Sequence, residues 1–465
     1  MSLDGARRNR KYTASVLLLC ALLYMGSVAA ADSSVSSGAQ GALERAAALV
    51  QQGRLDEAEQ QARLALADAE TQAVAYSVLG TIRFHQKRLA ESVTFLQKAI
   101  SLERTLLGAH LSLAQVYTLQ GKPDLAIPVF RRVVKLDPSL ARLPQASAIT
   151  FALLLIEKKA VAEAIDVLER ASKIGPSSYE VAFNLAGSYL LNNQPTRALD
   201  TYDLALSVKP DSVPALRQAA GIAERQGDLE RSLSYWIRAK KIEAEDAEIL
   251  LGFGRVCLKM DLLEDAEPAL IKAASLKPDE PTYQYTLAAA KVGKRQFEAA
   301  QGLIEAMVEK RPDDAQLQYA LGSVLYIQGH LAEAAARLRE SVRLHPEQLA
   351  SHYYLALVAR DQGKDTEAIE MLEKLLQRHP DHAASTEVLG GLLMSAGRYS
   401  DAETNLRKAV RLNPTSVKAN YQLGLLLARM GRKEEADKQL EFAKSLREED
   451  EANSRLQLRL LDPGQ

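Results

Sequence analysis

Two cysteines in 465 residues leave little room for disulfide chemistry. Cys20 lies in an N-terminal apolar run, and where that run is cut away only Cys257 remains. An intrachain disulfide is then excluded, and Cys257 reads as a buried structural thiol. An excess of one charge is missing too. Lys and Arg total 58 against 59 Asp and Glu, a net charge of −1, so no strongly basic field is available to hold nucleic acid. Aromatic residues make up only 5%, which leaves the core to Ala, Leu, Val and Ile. The signatures of common catalysts are absent: there is no G-x-x-x-x-G-K-[ST], no H-E-x-x-H, no C-x-x-C and no G-x-S-x-G. The "GFG" at 252–254 falls inside a helical pattern rather than after a strand, so it is no dinucleotide fingerprint. The reading is a non-enzymatic chain with no cofactor and no metal.

The first 31 residues differ from the rest. "RRNRK" (7–11) is a positive head, and "SVLLLCALLYMGSVAAA" (15–31) is apolar and ends in small residues. This is the layout of a secretory signal, with Ala29 and Ala31 before a cut ahead of Asp32. The run is short for a spanning helix, which favours cleavage over a retained anchor. Either way the basic flank stays cytoplasmic and the bulk of the chain is expected outside, periplasmic or secreted, or held to the inner membrane if the segment is kept. Membrane contact is expected only through that segment. Residues 32–38 read as a flexible linker.

What is abundant is period. Pro278, Pro312, Pro346, Pro380 and Pro414 stand 34 residues apart. Blocks of 34 fit residues 39–140 three times and 145–450 nine times, with four extra residues, "ARLP" (141–144), between. The eighth position of all twelve blocks is Gly or Ala, as in Gly80, Ala114 and Gly322. The twentieth is Ala or Ser, as in Ser92, Ala334 and Ala368. Small residues at matched places let two helices approach closely. The fifteenth position carries Gly in seven blocks and Asn193 and Asp261 in two others, the residues that end a helix in a left-handed conformation. Proline at position thirty-two follows a second helix expected to run to position thirty-one. Each block is therefore helix, tight turn, helix. One such pair cannot bury its apolar face alone, and stacked pairs share a continuous core. The insertion at 141–144 is expected to loop the backbone at Leu143-Pro144 and change the local path, and 451–465 to add a capping helix and tail.

The 34-residue period, the Gly or Ala at position eight, the Ala at twenty and often at twenty-seven, and the Pro at thirty-two resemble the tetratricopeptide repeat. The resemblance implies an all-α solenoid of helix-turn-helix repeats wound into a right-handed superhelix. It also implies that positions two, five, nine, twelve and thirteen of each first helix line a concave groove. In the C-terminal half those positions hold Tyr285, Tyr319, Tyr353 and Tyr421, with Tyr326 at position twelve, a ladder of rings suited to an extended peptide or a sugar chain. Repeats four and five offer an apolar stretch that includes Ile149, Leu153, Ile156, Phe183, Leu190 and Leu191, and repeats six and seven a modest basic patch with Arg217, Arg225, Arg255 and Lys259. The Lys and Asn clamp of the chaperone-tail type is missing, and of the Asn ladder of the glycosyltransferase-linked type only Asn184 is present. The histidines at 345, 352, 379 and 382 read as exposed loop residues, since His345 and His379 sit one repeat apart, too far to share an ion. The function this implies is a non-catalytic scaffold in a bacterial envelope, holding a protein or peptide segment in the groove. The alternative is a periplasmic scaffold for polysaccharide assembly or export, with the tyrosines on sugar.

Overall fold

Proline at position thirty-two forces the residue before it out of the helical region, because its ring clashes with a helical neighbour. In the computed structural model, which describes residues 37–461 and side chains from 38 to 448, that residue leaves the helical region in every such repeat; before Pro176 it is Gly175, left-handed at φ 73°, and in the others φ lies near −130°. Lys277 has φ −132° and ψ 64°, and His345 φ −136° and ψ 89°. Outside repeats one, four and twelve, the second helices stop at position thirty, one residue earlier than expected. Glu103 and Glu243 take the same conformation with no proline after them, so the turn belongs to the packing and proline only reinforces it.

The chain divides into two compact units between Ala244 and Glu245. The first holds six helix pairs: Ser37–Gln51 with Leu55–Leu64, Gln72–His85 with Leu89–Leu102, Leu107–Leu119 with Pro123–Leu136, Gln145–Glu157 with Val161–Ala171, Tyr179–Leu191 with Pro195–Val208, and Val213–Gln226 with Leu229–Ile242. The second holds Ala247–Lys259 with Leu263–Leu276, Pro281–Gly293 with Phe297–Lys310, Ala315–Ile327 with Leu331–Leu344, Leu349–Asp361 with Asp365–Arg378, Ala383–Ser395 with Tyr399–Leu412, and Val417–Arg429 with Lys433–Leu461. Among the described residues there is no strand, and no helix is long and apolar enough to cross a membrane. The segment read as a signal lies outside the described residues. The final helix runs unbroken from Lys433 to Leu461, so residues 451–461 continue the second helix of the last repeat.

Small side chains hold each pair together. All twelve residues at position twenty are buried, Ser92 and Ser232 included. Their hydroxyls donate to the carbonyls of Gly80 (2.7 Å) and Ala220 (2.9 Å), so each polar group is satisfied where it crosses to the partner helix. Position fifteen is left-handed in every repeat. Seven of these are glycines, but Lys87, Asn193, Asp261, Lys159 and Arg295 adopt it too, at φ 55° to 62°. In repeat nine the amide of His330 donates to the Leu325 carbonyl and that of Gly329 to the Tyr326 carbonyl, and Lys159 and Ala160 repeat the pattern on Ile156 and Leu155.

Four pairs of successive repeats are tied through position eleven of the first helix, which reaches back to the preceding second helix. Arg83 bonds Glu59 (2.6 Å), Tyr117 accepts from Gln97 (3.1 Å), Tyr189 donates to Glu169 (2.7 Å) and Lys291 bonds Glu267 (2.6 Å). The insertion at 141–144 opens no gap. Leu140 and Leu143 turn inward and are buried, and Phe130 and Phe151 stack at 5.0 Å across it. The second helix of repeat three nevertheless packs less closely on the first helix of repeat four than its counterparts within either unit do. Within each unit, neighbouring first helices pack directly on one another in several repeats, while neighbouring second helices show no comparable packing. The first helices therefore line the inner side of each unit.

Candidate functional site

Capping residues set where the inner helices begin. Position thirty-four is the N-cap of the next first helix: Ser178, Ser212, Asp246, Asp314 and Ser416 each accept from an amide three residues on. His382 does the same through its ring nitrogen. With the start fixed, helical periodicity turns the same positions inward in every repeat.

In the first unit the expected apolar stretch is exposed at its centre. Leu153 is 37% exposed and Leu191 48% exposed, and Leu119, which the sequence reading passed over, joins them at 47%. The three occupy positions nine and thirteen, one helical turn apart on a common stripe. Ile156 and Leu190 are half-buried beside them, while Ile149 is buried and serves packing. Phe183 is half-buried between Tyr179 and Tyr202, with ring centroids 5.6 Å away on both sides.

In the second unit the tyrosines make a cluster. Tyr354, at position six, packs edge-to-face on Tyr319 (5.8 Å), Tyr326 (5.4 Å) and Tyr353 (5.8 Å). Tyr354 falls outside the family's groove positions, and in the sequence only the doublet "YY" marks it. The Tyr326 hydroxyl donates to Asp361 (2.7 Å) and accepts from Arg360 (3.1 Å), whose guanidinium also holds Asp361 at 2.7 Å. Burial would raise the Asp361 carboxyl, but the bonds from Arg360 and Tyr326 outweigh it and hold it below its usual range. Burial pushes the Tyr319 and Tyr326 hydroxyls up to about 12, so both stay protonated donors. Tyr285 accepts from Gln316 (3.1 Å), which in turn accepts from Gln348 (3.0 Å). Tyr421 stands apart, 51% exposed, and Glu387 between it and Tyr353 is held by Lys418 (3.0 Å) and Ser416 (2.8 Å).

Arg217 and Arg255 are both half-buried on first helices, one in each unit, and each is engaged with a neighbour. His345 and His379 are exposed, as read from the sequence. His352 bonds the Pro346 carbonyl (2.8 Å), and His382 is half-buried and caps a helix. No cluster among the described residues has the His, Cys, Asp or Glu set to hold a metal.

Family models of the tetratricopeptide repeat match residues 43–105, 285–348 and 325–383, 155–221, and 107–140 and 417–450. A further model of the same repeat matches 390–431. A curated relative, the BBSome complex member BBS4 of Bos taurus, is 26% identical over 180 residues, covering 38% of this chain and 33% of that protein. The match thus spans about a third of that relative's length. Among solved structures, YrrB, a TPR protein with an unusual peptide-binding site, is 20% identical and matches 40% of this chain and 95% of its own, with a TM-score of 0.37. Yeast Tom70 is 15% identical and matches 89% of this chain and 96% of its own, with a TM-score of 0.40. The family models matched along most of the sequence establish that the chain belongs to the tetratricopeptide repeat family.

Proposed function

We propose that the chain is a non-catalytic scaffold for protein partners, holding an extended segment along the inner face of its first helices. The observation that carries this reading is the exposure of Leu119, Leu153 and Leu191 on three successive first helices of one unit. Leaving a leucine in water forgoes about 1.5–3 kcal/mol of burial, and stacking of the repeats does not require it. A contiguous apolar stripe of this kind marks a contact surface. The tyrosine cluster of repeats nine and ten offers the other unit a contact surface of its own, where hydroxyls and the glutamine pair can meet peptide groups. Sugar stacking calls for open ring faces, whereas Tyr319, Tyr326 and Tyr353 turn edge-to-face contacts into Tyr354. This favours protein over polysaccharide. The positive head and apolar run before Asp32 support export across a bacterial inner membrane.

Panning a displayed peptide library on the folded protein tests the reading. Binders enriched on the parent protein are expected to be lost on Leu153→Asp/Leu191→Asp or on Tyr285→Ala/Tyr319→Ala/Tyr353→Ala. Binders that survive both variants would refute it.

A further inference from the structure

We infer that His382 is an acid-sensitive clasp on the tyrosine groove of repeats nine to eleven. Its consequence for a partner rests on the proposed function, but the clasp itself is read without one.

His382 precedes the first helix of repeat eleven, and its Nδ1 accepts from the Ser385 amide at 3.3 Å and lies 2.6 Å from the Ser385 hydroxyl. An Nδ1 that accepts from an amide carries no proton, so the neutral ring has its hydrogen on Nε2. The same ring stands edge-to-face against Tyr353, 5.4 Å between centroids, and Tyr353 packs in turn on Tyr354. One imidazole thus joins a helix start to the aromatic cluster. The five other side-chain caps of the inner helices noted above are serine or aspartate, which do not gain a positive charge in mild acid.

Protonation puts a hydrogen on Nδ1. The Ser385 hydroxyl can rotate to accept it, but the Ser385 amide loses its acceptor. A positive charge is also placed at the N-terminal end of a helix, where the backbone dipole opposes it. The charged groups around the ring do not relieve this. His379, in the preceding turn, opposes a positive charge on the ring, and Glu387, on the helix that His382 begins and near Tyr353, is already paired with Lys418. Burial is the larger cause and holds the imidazole below its ordinary range. The cap therefore contributes fully at pH values above the usual histidine range, and its contribution shrinks as pH falls below that range.

Amide hydrogen exchange on the full chain tests this. Protection of Ser385, corrected for the intrinsic pH dependence, is expected to drop about tenfold between pH 7.5 and pH 5, the combined weight of a cap and a dipole contact. In His382→Ser, which installs the cap used at Ser178, Ser212 and Ser416, protection is expected to be equal at the two pH values. Unchanged protection in the parent chain, or the same drop in His382→Ser, would overturn the proposal. Ring carbon shifts of His382 supply a second reading: an Nε2-protonated ring at neutral pH is expected, and an Nδ1-protonated ring would also overturn it. Loss of all peptide binding with the clasp intact would count against the groove reading alone.

Discussion

Gly322 faces Leu338 so closely that a Cβ on the glycine would lie 2.7 Å from the leucine Cγ and 3.3 Å from the Ala334 carbonyl oxygen. Gly80, Gly254, Gly390 and Gly424 stand in the same relation to Leu96, Leu270, Leu406 and Leu440. Wherever position eight is glycine, position twenty-four is leucine, and the leucine fills the space the missing methyl leaves. Gly322→Ala is expected to destabilise the protein by about 1–3 kcal/mol through overpacking. Ala368→Phe, at a fully buried position twenty, is expected to cost at least as much. Urea unfolding read by circular dichroism checks both, and an unchanged midpoint would contradict the packing described.

Lys159 and Arg295 hold φ 62° and φ 58° in turns where most repeats use glycine. A side chain there costs roughly 1–2 kcal/mol, partly offset because glycine leaves a more flexible unfolded chain. Lys159→Gly and Arg295→Gly are each expected to raise the melting temperature, while Gly363→Ala, at φ 74°, lowers it. Thermal unfolding of the three variants decides the matter.

Arg83 is buried, and its bond to Glu59 joins the first two repeats at 2.6 Å. The Arg83 hydrogen bonds, helped by Arg63 and opposed by burial, hold the Glu59 carboxyl down to about 2, against an ordinary 4.5. A lowered folded-state value means the contribution is full above the ordinary carboxylate range and is lost as pH falls from there towards 2. Glu59→Gln is therefore expected to destabilise at pH 7, with the gap from the parent closing between about pH 4.5 and pH 2. Arg83→Met leaves the half-buried Glu59 carboxylate with only the exposed Arg63 as partner and is expected to cost about 1–3 kcal/mol at pH 7. Denaturation curves across that pH range report both effects.

Tyr354 and Tyr421 separate packing from recognition. Tyr354 touches three other rings, so Tyr354→Ala is expected to cost about 2–3 kcal/mol of stability. Tyr421 is half exposed and outside that cluster, so Tyr421→Ala is expected to change stability by less than about 0.5 kcal/mol. Any effect of Tyr421→Ala on peptide capture then reports contact with the partner.

The repeat was legible because its causes are local. Proline before a turn, small residues at helix crossings and glycine after a helix each act through backbone geometry that one position reveals. Lys87, Lys159 and Arg295 were not legible as turn residues, since neighbouring helices impose the left-handed conformation on side chains that do not favour it. The candidate contact face was half legible. Periodicity and the family positions found Leu153, Leu191 and Tyr353, yet Tyr354 and Leu119 depend on which neighbours leave a face open. His382 reads in sequence as one more loop histidine, and only the distance to the Ser385 amide shows it to be a cap.

The claim that partners lie along the inner face is tested most directly by where they can be trapped. A photo-cross-linking residue in place of Leu153 or Leu191 samples the first-helix face, and one in place of Leu204 or Val208 samples exposed positions on a second helix of the same unit. Adducts with a protein partner are expected from the first two sites and not from the second two. Adducts formed only at Leu204 or Val208 would contradict the account.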